Sequence, residues 1–168
     1  MFYEPFKVDV SKGWPIDVST AKYYLRGFEG ITSEDANIQS LIKTATYFCE
    51  NYIGKTITET TFVAYFNNFQ GNCLQLNTGS FNEIVSVVTD ASVNVTVSKV
   101  KKYPNYTIIE FSTSVSSDPL YVSYKTGTSD CLEIYKQSIL MKVRNLYDDN
   151  DDDTAIYRLL DSYKQINW

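Results

Sequence analysis

The sequence predicts an α+β fold, a helical core of about four helices with an antiparallel β insertion between the second and third. Three observations predict it. Apolar residues recur at steps of three and four near both ends of the chain, as they do in helices with one buried face. Between residues 56 and 125 the pattern changes to short runs of β-branched and aromatic residues. Turn residues punctuate those runs at short intervals.

The elements follow in order. Residues 1–16 form an aromatic leader, with Phe2, Tyr3, Phe6 and Trp14 outside any periodic segment. Such aromatics either pack on their own domain or anchor a partner, and the leader is expected to pack. Asp17 or Ser19 can cap a short helix through Ala21, Tyr24 and Leu25, closed off by Gly27 and Gly30. Thr32-Ser33-Glu34-Asp35 opens a second helix with an acidic first turn. Its buried face runs Ile38, Leu41, Ile42, Ala45, Phe48, Cys49, Tyr52, Ile53, and Gly54 follows as a left-handed C-terminal cap. From Thr56 the segments TITETTFVAYF, EIVSVVTD, SVNVTVSKV and YTIIEF read as strands, with Val93, Val95 and Val97 alternating against polar residues. Turn signals at Asn67-Asn68, Gly71-Asn72, Gly79-Ser80, Asp90 and Pro104-Asn105 divide the block into about four to six strands, ending in PLYVSYKTGT. Asp130 with Glu133 resembles a capping box for a long helix carrying Leu132, Tyr135, Ile139, Val143 and Leu146. One connector-sized domain over residues 1–168 is expected, helical over 17–54 and 130–164 and β-rich over 56–125, with terminal arms 1–16 and 165–168.

Five aspartates within Asp148–Asp153 pose the question of a metal site. A calcium loop needs Gly at its sixth position and a bidentate Glu at its twelfth. Counting from Asp148 or Asp149 puts Asp153 or Thr154 and Leu159 or Leu160 there, so the motif fails. Ile156, Leu159, Leu160 and Tyr163 then form a helical stripe, and carboxylates before it face the positive end of the helix dipole. The run reads as a solvated turn and helix cap, and no metal or cofactor is expected. The alternative is a metal-dependent phosphoesterase using Asp148 to Asp153, for which no paired ligands or base can be identified.

Composition narrows the remaining classes. The net charge of -5 and pI near 4.7 oppose a protein that grips phosphate backbones. Lys99, Lys101 and Lys102 read as a protected strand edge. The chain has no histidine, which removes Ser-His-Asp, Cys-His and HExxH chemistry together. It has no GxxxxGK[ST] or GxGxxG segment. Cys49, Cys73 and Cys131 are odd in number and widely spaced, as buried thiols would be rather than a zinc knuckle or disulfide framework. No run of about twenty apolar residues and no basic-apolar leader occurs, so a soluble, unsecreted protein with no membrane partner is expected.

The order of elements resembles the head-tail connector, or adaptor, proteins of tailed bacteriophages. The resemblance is carried by STAKYYLRG with its AK-x-x-L core, SEDANIQSLIKTATYFCENYIGKTI with the Glu50 to Gly54 exit, and the closing turn Val122, Tyr124, Gly127. A helix ending in Tyr147 and Asp148 and a terminal Leu159, Leu160, Tyr163 segment complete it. This chain differs in having Asp130 to Leu132 where a proline is expected and in a longer strand block. The resemblance implies a non-enzymatic virion protein made in the host bacterial cytoplasm. It implies a ring, typically of twelve copies, beneath the portal protein at the head-tail junction, extending the DNA channel and giving tail or stopper proteins a docking surface. DNA would pass without sequence-specific binding. Another neck or tail-completion protein is the nearest alternative. The resemblance further implies that the C-terminal segment Tyr163, Lys164, Gln165, Ile166, Asn167, Trp168 contacts the portal or a neighbouring subunit. An indole at the chain end is the kind of anchor that interfaces use.

Overall fold

The computed structural model describes residues 6–26, 30–78, 80–127 and 131–164, with residues 6–11 described through their backbone alone. The chain divides into two compact units, one built from Met1–Gly13 and Glu59–Thr128, the other from Trp14–Thr58 and Ser129–Ile166.

The first unit is all antiparallel β. Its strands are β1 (Phe6–Lys12), β2 (Thr60–Phe66), β3 (Phe69–Leu76), β4 (Phe81–Val88), β5 (Val97–Lys102), β6 (Thr107–Ser117) and β7 (Leu120–Thr126). One sheet has the order β1-β2-β7-β4 and the other β3-β6-β5. Alternate residues of β2 and β7 point inward, so Ala64, Phe66, Leu120, Val122 and Tyr124 join Phe69, Leu74, Leu76, Ile109 and Phe111 of the second sheet in one buried core. Each of the larger side chains contributes about 1.5–3 kcal/mol of burial free energy.

The β region departs from the sequence reading in three places. Part of the expected N-terminal arm is strand β1, which pairs antiparallel with β2 from Phe6 opposite Tyr65 to Lys12 opposite Thr60. Gly71-Asn72 is no turn: it lies inside β3, where the register against β6 shifts between Gly71 and Cys73. Gly71 has φ 149°, and the shift is taken up on β6, where residues 111–114 lie opposite Asn72 alone. The expected strand through Val93, Val95 and Val97 begins only at Val97. Val93 is 59% exposed, while the amide of Val95 bonds the Val87 carbonyl, leaving the segment before β5 as a loop beside β4. Asn67-Asn68 is a turn as expected, with Asn68 at φ 50° and its amide donating to Asp118 Oδ1 at 3.0 Å.

The second unit is helical, with α1 (Val18–Leu25), α2 (Asp35–Ile53), α3 (Glu133–Tyr147) and α4 (Thr154–Leu160), followed by a 3-10 turn at Asp161–Tyr163. Asp17 is the cap of α1: its Oδ1 accepts from the Thr20 amide and the Ser19 hydroxyl, both at 2.7 Å. These bonds, that of Ser19 foremost, hold the Asp17 carboxyl below the usual range. Gly54 ends α2 in the left-handed conformation, φ 70°, and its amide bonds the Glu50 carbonyl. Ile38, Ile42, Ala45, Cys49 and Ile53 bury one face of α2 against Ile139, Val143, Ile156 and Leu160. Burial pushes the Cys49 thiol up to about 12. The expected capping box does not start α3. Asp130 lies outside the described residues, as does Gly27, and Leu132 occupies the cap with no side-chain hydrogen bond. No helix among the described residues is long and apolar enough to cross a membrane.

Candidate interaction surface

Most residues that carry the family resemblance build the architecture. Ala21 is fully buried, and Lys22, 8% exposed, pairs with Asp35 at the start of α2 and donates to the Ile31 carbonyl at 2.5 Å. Glu50 Oε1 accepts the Ile57 amide at 2.8 Å and thereby fixes the exit from α2. Val122 and Tyr124 are core residues, and Gly127, φ 84°, donates its amide to the Ser80 carbonyl. Residues available to a partner therefore have to be sought elsewhere.

The expected partner segment begins on the helical unit. Tyr163 is half-buried, its ring edge-on to Tyr135 with centroids 5.4 Å apart. Lys164 is exposed and places its ammonium 4.5 Å from the Tyr52 ring centroid. Gln165, Ile166, Asn167 and Trp168 lie outside the described residues. Tyr163 and Lys164 thus engage their own subunit.

Beneath them is an aromatic shelf that periodicity alone does not single out. Tyr157 of α4, 37% exposed, meets Tyr52 at 4.6 Å and Phe48 at 5.8 Å between centroids. Tyr52 donates its hydroxyl to Asp161, a bond that raises the tyrosine's pKa. In the sequence, Phe48 and Tyr52 read only as core positions of α2. The signal available was their i, i+4 spacing opposite a helix that itself carries Tyr157. Other large apolar side chains exposed on the helical unit are Tyr23 at 76%, Tyr47 at 41% and Leu132 at 52%.

The aspartate run separates into unlike members. Asp148 caps α3 and pairs with exposed Arg144 one turn back, Nε to Oδ2 at 3.3 Å. Asp152 Oδ1 accepts the Thr154 amide at 3.1 Å, and Thr154, through its side chain first, holds that carboxyl below the usual range. Asp153 differs from its neighbours: its side chain is only 10% exposed, and Oδ2 lies 2.6 Å from Lys142 Nζ, itself 12% exposed. Asn145 Nδ2 donates to Asp153 Oδ1 at 3.0 Å and to the Asp152 carbonyl at 2.8 Å. Lys142 also lies 4.3 Å from the Phe48 ring centroid. Asp153 stands at the N-cap of α4, yet its side chain accepts no hydrogen bond from the first turn, so the expectation of a solvated cap fails at this residue. Its carboxylate is engaged by the largely buried ion pair instead of by the first turn of α4. Among the described residues no group of three or more His, Cys, Asp or Glu side chains is placed to hold a metal ion.

In the β unit, Lys99, Lys101 and Lys102 lie on β5, an edge of its sheet. Lys101 pairs with Glu110 of β6, and Lys102 lies 5.2 Å from the Phe81 ring centroid. The strand is a lysine-bearing edge, as its sequence suggested.

No family model matches the chain, and no curated protein matches it. Solved structures share its fold. A chain from the neck of an empty gene transfer agent (GTA) particle, computed with C6 symmetry, superposes with TM-score 0.75 at 15% identity, covering 97% of each chain. A chain from the virion of a native gene transfer agent particle gives 0.74 at 16% identity, again covering 97% of both. A chain from the neck of a native GTA particle computed with C12 symmetry gives 0.64 at 12% identity, over 95% of this chain and 97% of that one.

Proposed function

We propose that this chain is a structural component of a phage-like virion neck: a ring-forming head-tail adaptor that docks beneath the portal, extends the DNA channel and offers a surface to tail or stopper proteins. The observation that carries the reading is the agreement of nearly the whole chain, both units included, with chains from particle necks. The C6 and C12 symmetries of those particles fit a ring of copies, twelve being the number the family resemblance implies. In this reading residues 1–168 work as one connector domain at the head-tail junction, without catalysis. A net charge of -5 suits a wall past which DNA slides, because retained cations would add phosphate affinity.

A ring subunit must make different contacts with its two neighbours and also meet a partner ring, and a short terminal arm adds contact at little structural cost. Tyr163 and Lys164 root that arm, and Gln165 to Trp168 form its working part, with Trp168 as anchor. The test is to remove Gln165–Trp168 and compare melting temperature and co-sedimentation with purified portal protein of the same particle, alongside electron micrographs of the mixture. Melting is expected to be unchanged. Portal binding falls roughly thirtyfold, since a buried indole contributes about 2 kcal/mol or more. Untruncated protein that forms no ring and does not sediment with portal overturns the adaptor reading. A large drop in melting temperature with undiminished binding makes Trp168 a core residue instead.

A further inference from the structure

We infer that α4 is a latch on the α2–α3 pair, seated by the largely buried Lys142–Asp153 ion pair, and that this latch fixes where the C-terminal arm leaves the helical unit. The latch stands on geometry alone, while its role for the arm rests on the adaptor reading above. α4 has 7 residues, too few to be stable by itself, so its position depends on what holds it. Apart from the apolar contacts of Ile156 and Leu160, it is held along one line of residues spaced by four. Asp153 meets Lys142 and Asn145 of α3, Tyr157 meets Phe48 and Tyr52 of α2, and Asp161 accepts from Tyr52. Lys142 ties the first of these points to the second, because its ammonium meets both the Asp153 carboxylate and the Phe48 ring.

The ion pair makes this docking two-valued. With side chains 12% and 10% exposed, neither charge is well hydrated when seated, so each depends on the other. The alternatives are a closed pair or a released α4 with both charges in water, and an intermediate with one charge stranded is costly. The carboxylate of Asp148 pairs within its own helix and that of Asp152 bonds within its own turn, so neither ties α4 to α3 as Asp153 does. Lys164, resting on Tyr52, is the root of the arm, so releasing α4 releases the root as well.

Trypsin reads the latch directly, because Arg158 is exposed yet sits in α4, where cleavage requires local opening. Accumulation of the 1–158 fragment is followed by mass spectrometry for the wild type, Lys142→Met, Lys142→Arg and Ile109→Val. Lys142→Met should accelerate cleavage by about tenfold or more, and Lys142→Arg should restore most of the protection. Ile109→Val weakens the core of the β unit, to which α4 does not belong, so it lowers stability without accelerating this cut. If Lys142→Met does not fold, Asp153→Asn is measured in its place. The same proteins are then sedimented with portal, and binding per folded molecule should fall in Lys142→Met and recover in Lys142→Arg. Unaccelerated cleavage overturns the latch. Accelerated cleavage with undiminished portal binding overturns its role in placing the arm. If the wild type itself does not bind portal, the adaptor reading fails, and cleavage still decides whether the latch exists.

Discussion

Replacing Ile42 by aspartate puts a carboxyl into the centre of the helical core, and its cost can be worked in two parts. Ile42 is 2% exposed and shares the α2 face with Ile38, Ala45 and Cys49, all of them fully buried. Removing the isoleucine side chain costs about 2–5 kcal/mol in transfer and cavity terms. The new carboxyl must also be neutral to stay buried. Its unfolded pKa is about 3.9, so keeping it protonated at pH 7 costs roughly 4 kcal/mol, from about three units at 1.36 kcal/mol each. The sum, about 6–9 kcal/mol, is comparable to the whole stability of an ordinary domain. The second part depends on pH with a definite sign. An acid whose folded pKa is raised is best tolerated below its unfolded pKa, and the penalty grows as pH rises toward the folded value. Urea unfolding followed by far-UV circular dichroism should therefore show Ile42→Asp unfolded at pH 7 and partly recovered near pH 4. Ile42→Asn carries the packing loss without the ionisation and should show no such recovery beyond that of the wild type. A soluble Ile42→Asp protein with wild-type melting temperature would refute the assignment of the buried face. Identical pH profiles for the two variants would refute the carboxyl's burial.

Three further outcomes are expected. Asp153→Asn should destabilise the helical unit by about 3 kcal/mol, because it strands the Lys142 ammonium, while Asp151→Asn and Asp152→Asn leave the urea midpoint essentially where it was. Asp17→Ala should cost about 1 kcal/mol of helix-cap stabilisation near neutral pH. Because the folded pKa of Asp17 is depressed, that contribution is complete above about pH 4 and lost as pH falls through the folded value, so the difference in melting temperature between wild type and Asp17→Ala should close in acid. In the native protein at pH 8 a thiol reagent should label Cys73 quickly: Cys73 is exposed, whereas burial raises Cys131 to about 11 and Cys49 to about 12. Rapid native-state labelling of all three would contradict the packing of α2 and α3.

The helices were the legible part of this chain, for a physical reason. α2 buries a continuous face, and the steps from Ile38 to Ile53 repeat that geometry in the sequence. β1 carried the same kind of signal, since Phe6, Val8 and Val10 alternate with polar residues, but the neighbouring aromatics obscured it. β3 was hidden because Gly-Asn reads as a turn, whereas here it sits inside the strand opposite the irregular stretch 111–114 of β6, a long-range pairing with no local signal. The special status of Asp153 was not legible at all. Its partners Lys142 and Asn145 lie on the preceding helix, and nothing local separates it from Asp151 or Asp152. The aromatic shelf was half legible, because Phe48 and Tyr52 were correctly placed on the inner side of α2, while the contact with Tyr157 depends on how α4 docks.

The interleaving of the two units also dictates an order of events during synthesis. The β unit has its last strand once Thr126 has been made, whereas α2 finds α3 only after a further stretch of chain has been translated. At roughly 5–20 residues per second, a delay of seconds separates the emergence of α2 from that of its partner. During that interval the apolar stripe from Ile38 to Ile53 has no α3 to cover it, while the sheets can close over their own core. The nascent chain thus carries a finished sandwich and an open helical half, and chaperone demand or premature self-association should concentrate in that window. Moving the α3–α4 segment ahead of α1 in a circular permutant would bring the helical partners out together and shorten the exposure.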